Sequence, residues 1–215
     1  KSLRKVELKR LNKFLRSPYY HNNPHLNNLY HTVRIYAPDY QSPKLQRELV
    51  YEKLFPGEEI DLNKFRKLLT AFTQLLEEYL ILLELEEQGI QKKMLLQSAL
   101  GRRNVFDLFE KQTFDLIGAL EQQPTRSRDY FRQMMDLNEA YFFHPMTKKT
   151  DFKSSPISQA MEHLDLYFGL TKLQFGAEMK VREKIGREAH PILFLEELIV
   201  QEEKLSERSP IFSLY

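Results

Sequence analysis

Hydrophobic residues recur every three or four positions from Asp61 to Gln88, in a stretch that contains neither glycine nor proline. This spacing places them on one face of an α-helix. Asp61 is a suitable N-cap, because its carboxylate can accept hydrogen bonds from the free N–H groups of the first turn. Gly89 is suited to end the helix in a left-handed backbone conformation. We therefore predict a helix about 40 Å long as the central element of the protein.

The same spacing predicts helices along the rest of the chain, and no segment shows the alternation typical of a β-strand. Proline and glycine mark most of the boundaries between them. Gly101-Arg102-Arg103 is predicted to break the helix that precedes it, and Asn104 to cap the one that follows. A polar, basic segment from Met146 to Ser154 predicts a mobile loop. The predicted helices cover residues 1–16, 24–37, 43–54, 61–88, 90–100, 105–123, 128–143, 156–185 and 191–205.

This succession predicts an all-α protein with two parts. Residues 1–88 form an N-terminal helical bundle that ends in the long helix, and residues 89–215 form antiparallel helical hairpins. The second part is expected to resemble a tetratricopeptide-like helical repeat, although no period of about 34 residues is visible. The chain starts at Lys1 and ends in apolar residues after Ser209-Pro210 that complete no helix, so we expect a fragment truncated at its C-terminus.

Two short runs resemble a known group of proteins. They are FLRSPYY at residues 14–20 and LDLYFGLTKL at residues 164–173, the latter followed by Glu178-Met179. Both are similar to segments of uncharacterised bacterial proteins, several hundred residues long, that are expected to be helical and tetratricopeptide-like toward their C-termini. The resemblance implies a longer helical chain, and it brings no known activity or functional residues.

Composition places the chain among soluble globular proteins, with 42% hydrophobic and 29% charged residues. It has no cysteine, which excludes disulfides and thiolate metal sites. No run of about 18 apolar residues and no signal-peptide pattern is present. We predict a cytoplasmic protein without a membrane partner.

Basic residues and tyrosines are concentrated near the N-terminus. Residues 1–53 contain 11 lysines and arginines against 4 acidic residues, together with six of the eleven tyrosines. Cationic side chains neutralise phosphates, and aromatic rings stack on unpaired bases. A nucleic-acid surface is one interpretation, and a solvated helix face with half-buried tyrosines is the other. The candidate nucleic-acid-binding residues are Lys5, Lys9, Arg10, Lys13, Arg16, Tyr19 and Tyr20.

Aromatic and methionine side chains are dense between Tyr130 and Phe143. Such residues suit adaptable peptide-binding surfaces, but at helical spacing they also form ordinary cores. The candidate partner-binding residues are Met134, Tyr141, Phe142 and Phe143. Further along, the helix predicted over 156–185 carries Ala160, Leu164, Tyr167 or Phe168, Thr171 and Phe175 on one face.

No pattern indicates catalysis or a bound metal or cofactor. His21 and His25 have the spacing of two metal ligands on a helix, but Pro24 interrupts the helix between them. Glycine-rich phosphate loops, His-Glu-x-x-His and the Glu-x-x-His motif of di-iron bundles do not occur. The sequence therefore favours a non-catalytic helical scaffold that binds another protein or a peptide, with a nucleic-acid-binding module as the alternative.

Overall fold

The computed structural model describes residues 3–148, 155–186 and 191–201, and every regular element in these residues is a helix. The all-α prediction is confirmed, whereas the tetratricopeptide-like arrangement stays a prediction. The α-helices are α1 (Lys5–Leu15), α2 (Pro24–Arg34), α3 (Arg47–Leu54), α4 (Leu62–Glu87), α5 (Gly89–Arg102), α6 (Phe106–Glu121), α7 (Arg128–Phe143), α8 (Pro156–Lys184) and α9 (Leu195–Val200), and a 3₁₀ turn covers Pro43–Leu45.

The chain forms two compact units, Lys1–Gln88 with α1 to α4 and Gly89–Tyr215 with α5 to α9. In unit 1 the apolar faces of the four helices meet in one core. Tyr51 is fully buried there, with its ring 4.9 Å from that of Phe55. The buried residues of this core are Leu11, Phe14, Leu15, Leu26, Leu29, Tyr30, Val50, Tyr51, Leu54, Phe55, Phe65, Leu68, Leu75 and Tyr79.

Two tyrosine hydroxyls attach α1 to its neighbours. The Tyr30 hydroxyl of α2 donates to the Leu8 carbonyl at 2.6 Å, and the Tyr79 hydroxyl of α4 donates to the Glu7 carbonyl at 2.7 Å. Each bond satisfies a phenol that would otherwise be buried without a partner. Asp61 caps α4 as predicted, accepting from the backbone N–H groups of the second and third residues after it.

In unit 2, α5 pairs with α6 and α7 pairs with α8 as antiparallel hairpins. Between the first two helices, the buried Gln97 amide donates to the Thr113 hydroxyl at 3.0 Å, and that hydroxyl donates to the Phe109 carbonyl at 2.8 Å. The α7–α8 hairpin holds the larger core. Its buried members, with two from α6, are Leu116, Leu120, Tyr130, Phe131, Met134, Leu137, Leu166, Leu170 and Leu173.

The helix boundary predicted at Gly89 is confirmed, but the roles predicted for Gly89 and Gly101 are wrong. Gly89 does not close the long helix in a left-handed conformation but begins α5, and Gln88 alone separates the two helices. Gly101 does not break α5. It lies inside the helix, and an added Cβ there would come within 3.1 Å of the Phe109 ring, so glycine lets α6 approach.

The structure also changes three helix starts. Asn104, predicted as a cap, adopts a left-handed backbone with φ of 55°, and α6 begins at Phe106. The helix predicted from residue 43 starts as a 3₁₀ turn and becomes α-helical at Arg47. The last predicted helix is shortened to α9, and residues 202–205 lie outside the described part.

The mobile loop predicted from Met146 to Ser154 falls mostly on residues 149–154, which also lie outside the described part.

Candidate interaction surfaces

Four basic side chains form a continuous exposed row along α1. Lys5, Lys9, Lys13 and Arg16 follow one another at steps of four, four and three residues, which places them on one helical face. All four are exposed, and no carboxylate of the described residues lies within ion-pair distance of any of them. We call this row the α1 basic face.

Arg10 does not belong to that face. Its guanidinium pairs with Glu86 near the end of α4, and this hydrogen bond raises the pKa of Arg10. On the same side of α1, Arg4 pairs with Glu7 and reaches Glu87 at 3.1 Å. The Arg4 side chain in turn lowers the pKa of the Glu7 carboxyl by donating to it. Arg10 and Arg4 therefore join α1 to α4, and Arg10 is a structural residue in this arrangement.

The two predicted tyrosines differ in exposure. Tyr20 packs against the core residue Phe14, with ring centroids 4.1 Å apart. Tyr19 contacts the edge of Tyr20 and is 87% exposed. Tyr20 is thus anchored on the core, whereas the Tyr19 ring stands on the surface.

The partner-binding candidates on α7 separate into three environments. Met134 is 3% exposed and belongs to the core, so it offers no surface to a partner. Tyr141 and Phe142 are half-buried. Phe143 is 59% exposed, but Asp136 and Glu139 share its helical face. A single exposed phenylalanine among charged residues is common on monomeric proteins.

Tyr141 is held by a short hydrogen bond and by stacking. Its hydroxyl donates to Oε1 of Glu110 at 2.6 Å, and its ring lies 5.1 Å from Phe114 and 6.4 Å from Phe109. Burial first, and then the bond to Glu110, raise the pKa of Tyr141 to about 12. The group thus links α6 to α7 in its protonated form.

Tyr141 should make the stability of unit 2 sensitive to alkaline pH. The folded-state pKa of about 12 lies above the roughly 10 of an unfolded tyrosine. Its stabilising contribution is therefore complete below about pH 10 and is lost as pH rises through the folded value. Absorbance at 295 nm should show that Tyr141→Phe removes one ionisation from the most alkaline part of the titration. An unchanged alkaline limb in this variant would contradict the assignment.

Helix α8 carries apolar side chains on two sides, one in the core and one in solvent. Leu166, Leu170 and Leu173 pack into the core. On the other side of the helix, four large apolar side chains are exposed by 37–56%. This α8 stripe consists of Met161, Leu164, Phe168 and Phe175.

The spacing of the α8 stripe makes it continuous. Its members follow at steps of three, four and seven residues, so they share one helical face over about 21 Å. Arg128 lies over the Phe175 ring at 6.0 Å, and Phe194 lies beside Phe168 at 6.3 Å, yet both rings keep large exposed areas. The predicted face of this helix therefore mixes two environments. Leu164, Phe168 and Phe175 are exposed, whereas Ala160 is buried and Tyr167 packs against the core.

Three of the histidines lie in separate environments. Nδ1 of His21 accepts from the backbone N–H of Asn23, His25 lies against the Phe55 ring at 4.5 Å, and His144 stacks on Phe109 at 4.5 Å. Within residues 3–148, 155–186 and 191–201, no three His, Asp or Glu side chains come together as metal ligands. Among the same residues, none of the helices has the length and apolar character that crossing a membrane requires.

Comparisons with known proteins add no relative. The chain matches no protein-family model, no curated protein and no solved structure with which it was compared. Functional inference therefore depends on the surfaces described above.

Proposed function

We propose that this chain is a non-catalytic helical scaffold that binds another protein through the α8 stripe. The single observation that carries the proposal is that α8 is apolar on two opposite sides, one in the core and one in solvent. A continuous exposed apolar surface is the usual mark of a protein-binding site. A helix with two apolar sides is also typical of helical repeats, in which each hairpin covers the next, and this supports the predicted repeat-like character.

The expected occupant is an amphipathic helix of the partner. The stripe is narrow and straight, and residues three and four apart form the ridges into which the side chains of a second helix pack. An extended peptide would gain less, because the backbone groups of α8 are already paired along the helix and can add no main-chain bonds. Asp165 and Lys172 flank the stripe without an ion pair among the described residues, although the Lys172 ammonium lies over the Phe168 ring at 5.8 Å. Asp165 leaves a charge for a complementary group on the partner. The absence of cysteine supports a cytoplasmic location for such a scaffold.

Photo-crosslinking tests the proposal in cells of the native host. A benzoylphenylalanine at position 175 should give one discrete adduct with another protein, because the probe lies inside the stripe. The control position is Ala177, an exposed residue of α8 that lies about 200° around the helix from residue 175. The adduct should disappear when Leu164→Glu is added, since a buried charge in the contact disfavours docking. Equal adduct patterns at both positions, or an adduct that Leu164→Glu does not affect, would contradict the proposal.

A second candidate function is binding of single-stranded nucleic acid by the α1 basic face. The observation that favours it is that four unpaired cations are followed by the 87% exposed ring of Tyr19. Phosphates would pair with the cations and a base would stack on the ring.

The salt dependence of binding tests this second function quantitatively. Four cation–phosphate contacts predict a slope of log affinity against log salt of about −2.8, which is a loss of about 50-fold between 50 and 200 mM salt. Fluorescence anisotropy with labelled single-stranded DNA and RNA measures it. Binding should be lost when the four residues of the α1 basic face are replaced by glutamine.

The matched control removes the same charge elsewhere and leaves Arg10 in place. Four exposed cations of unit 1, replaced together by glutamine, should keep the affinity within a few-fold. They are Lys44, Lys53, Arg66 and Lys67. Similar losses in both variants would mean that only net charge matters, and the absence of binding at 50 mM salt would exclude this function.

A further inference from the structure

Unit 1 contains an apolar pocket between α1, α2 and α4 that neither proposed function uses. Its volume is about 240 Å³, and its walls include Leu8 of α1, Val33 of α2, and Phe72, Leu76 and Leu80 of α4. Leu80 is the most exposed of the apolar residues that line the pocket, at 47%. Apolar walls without a packed neighbour forgo dispersion contacts, so an apolar guest would gain them on entry.

Three polar side chains of one segment meet at this pocket. Arg34, Tyr30 and Tyr40 line it together with the apolar walls. The Arg34 guanidinium lies over the Tyr30 ring at 5.7 Å and interacts with the Tyr30 hydroxyl. That hydroxyl donates its proton to the Leu8 carbonyl at 2.6 Å, so it faces Arg34 as an acceptor.

The charge at the pocket is uncompensated. Among the described residues, Arg34 is the only charged one that lines the pocket, and no acidic side chain of that part of the chain lies within ion-pair distance of it. A guanidinium offers a planar pair of donors that matches the two oxygens of a carboxylate. The pocket therefore combines a long apolar wall with one site for a single anionic head.

The backbone holds Tyr40 at the pocket in an unusual conformation. Its φ is 54°, in the left-handed region that tyrosine seldom adopts. The backbone N–H of Tyr40 donates to the Tyr36 carbonyl at 2.9 Å and fixes this turn. Backbone strain of this kind is concentrated at ligand sites, where surrounding structure maintains it.

We propose that this pocket binds a small amphipathic carboxylate, with its hydrocarbon body against α1, α2 and α4 and its carboxylate on Arg34. The volume of about 240 Å³ lies below the roughly 300–1,000 Å³ of sites for drug-sized ligands, which favours a short-chain or medium-chain acid. A phosphate group would carry more charge than one arginine compensates. Tyr40 also lines the pocket and carries a hydroxyl of the kind that donates to a carboxylate.

Titration of the full chain with octanoate tests binding of the carboxylate head together with the hydrocarbon body. A separate titration with octan-1-ol tests binding of the hydrocarbon body without the charge. Calorimetry gives the affinities. Octanoate should bind the wild-type chain. Arg34→Gln should weaken octanoate binding at least tenfold, because a charge-assisted pair is lost. The same variant should change octanol affinity by less than about twofold, because the apolar wall is intact. The control Arg47→Gln removes an exposed arginine of α3 that does not line the pocket, and it should leave both affinities unchanged.

A second measurement locates the ligand without relying on the arginine variant. Methyl resonances of Leu8, Val33 and Leu76 should shift on addition of octanoate. Leu80→Phe, which enlarges a side chain of the pocket wall, should weaken octanoate and octanol binding together. Far-UV circular dichroism melts establish that each variant is folded. The proposal is overturned if millimolar octanoate does not bind, if Arg34→Gln binds it as tightly as wild type, or if the shifted methyl groups lie outside the pocket.

Discussion

Replacing Leu170 with alanine is expected to lower the free energy of unfolding by about 2–5 kcal/mol. The Leu170 side chain is 2% exposed on the core side of α8, in the same cluster as Phe131 and Leu137 of α7. Truncation removes its apolar transfer free energy and leaves a cavity that close-packed neighbours fill only in part. Urea unfolding followed by circular dichroism measures the loss.

The matched variant on the opposite side of the same helix is Phe175→Ala. Phe175 is 55% exposed, so its truncation should change the free energy of unfolding by less than about 1 kcal/mol even though it removes a larger side chain. A loss at Phe175 equal to that at Leu170 would mean that the α8 stripe is buried in the isolated chain. The assignment of the stripe as a free surface would then be wrong.

Replacing Leu11 with alanine should destabilise unit 1 by a similar amount, about 2–5 kcal/mol. Leu11 is 2% exposed on the core side of α1, and its neighbours in the core come from α2 and α4. The same denaturation experiment measures the change in midpoint and slope.

Lys9→Ala is the matched change on the solvent side of α1. Lys9 is exposed and has no ion pair among the described residues, so the free energy of unfolding should stay within about 0.5 kcal/mol of wild type. This near-neutral result is required for the nucleic-acid test, because binding differences in the α1 basic face then report binding and not unfolding. A loss above about 1 kcal/mol at Lys9 would show that this face is structural.

The helices with the strongest patterns were predictable from sequence because local signals coincide in them. In α4 the apolar spacing, the N-cap Asp61 and the absence of glycine and proline all indicate one helix, and the structure has it at Leu62–Glu87. Ser127 likewise caps α7, accepting from the backbone N–H of Tyr130. Caps act through the chain within three residues, so sequence alone contains the information.

The boundaries marked by glycine and asparagine were less predictable, because these residues serve several purposes. Gly101 was predicted as a break, but it provides room for Phe109, a residue eight positions later on a different helix. Asn104 was predicted as an N-cap, but it takes a left-handed conformation before α6. Both roles depend on the packing of α5 against α6, which periodicity along one helix does not contain.

The candidate surfaces, too, were only partly predictable from sequence. A helical pattern gives apolar faces but not which of them meets the core. The exposed Leu164, Phe168 and Phe175 were therefore predicted on one face with the buried Ala160, and the core residue Leu170 was not identified. Arg10 has the same local pattern as its basic neighbours, and its pairing with Glu86 depends on a contact 76 residues away in sequence. Exposure and long-range pairing are properties of the packed unit.

Cysteine protection in cells tests the central claim, that a partner covers the α8 stripe, most directly. The chain has no cysteine, so Met161→Cys, Phe175→Cys and the control Ala177→Cys each introduce a unique thiol. In the purified chain all three should react rapidly with a maleimide, because all three positions are exposed. In cells of the native host, positions 161 and 175 should react several-fold more slowly while position 177 keeps its rate. Equal rates in cells and in the purified chain at all three positions would contradict the claim, and slow reaction at 161 and 175 in the purified chain would show that the chain itself covers the stripe.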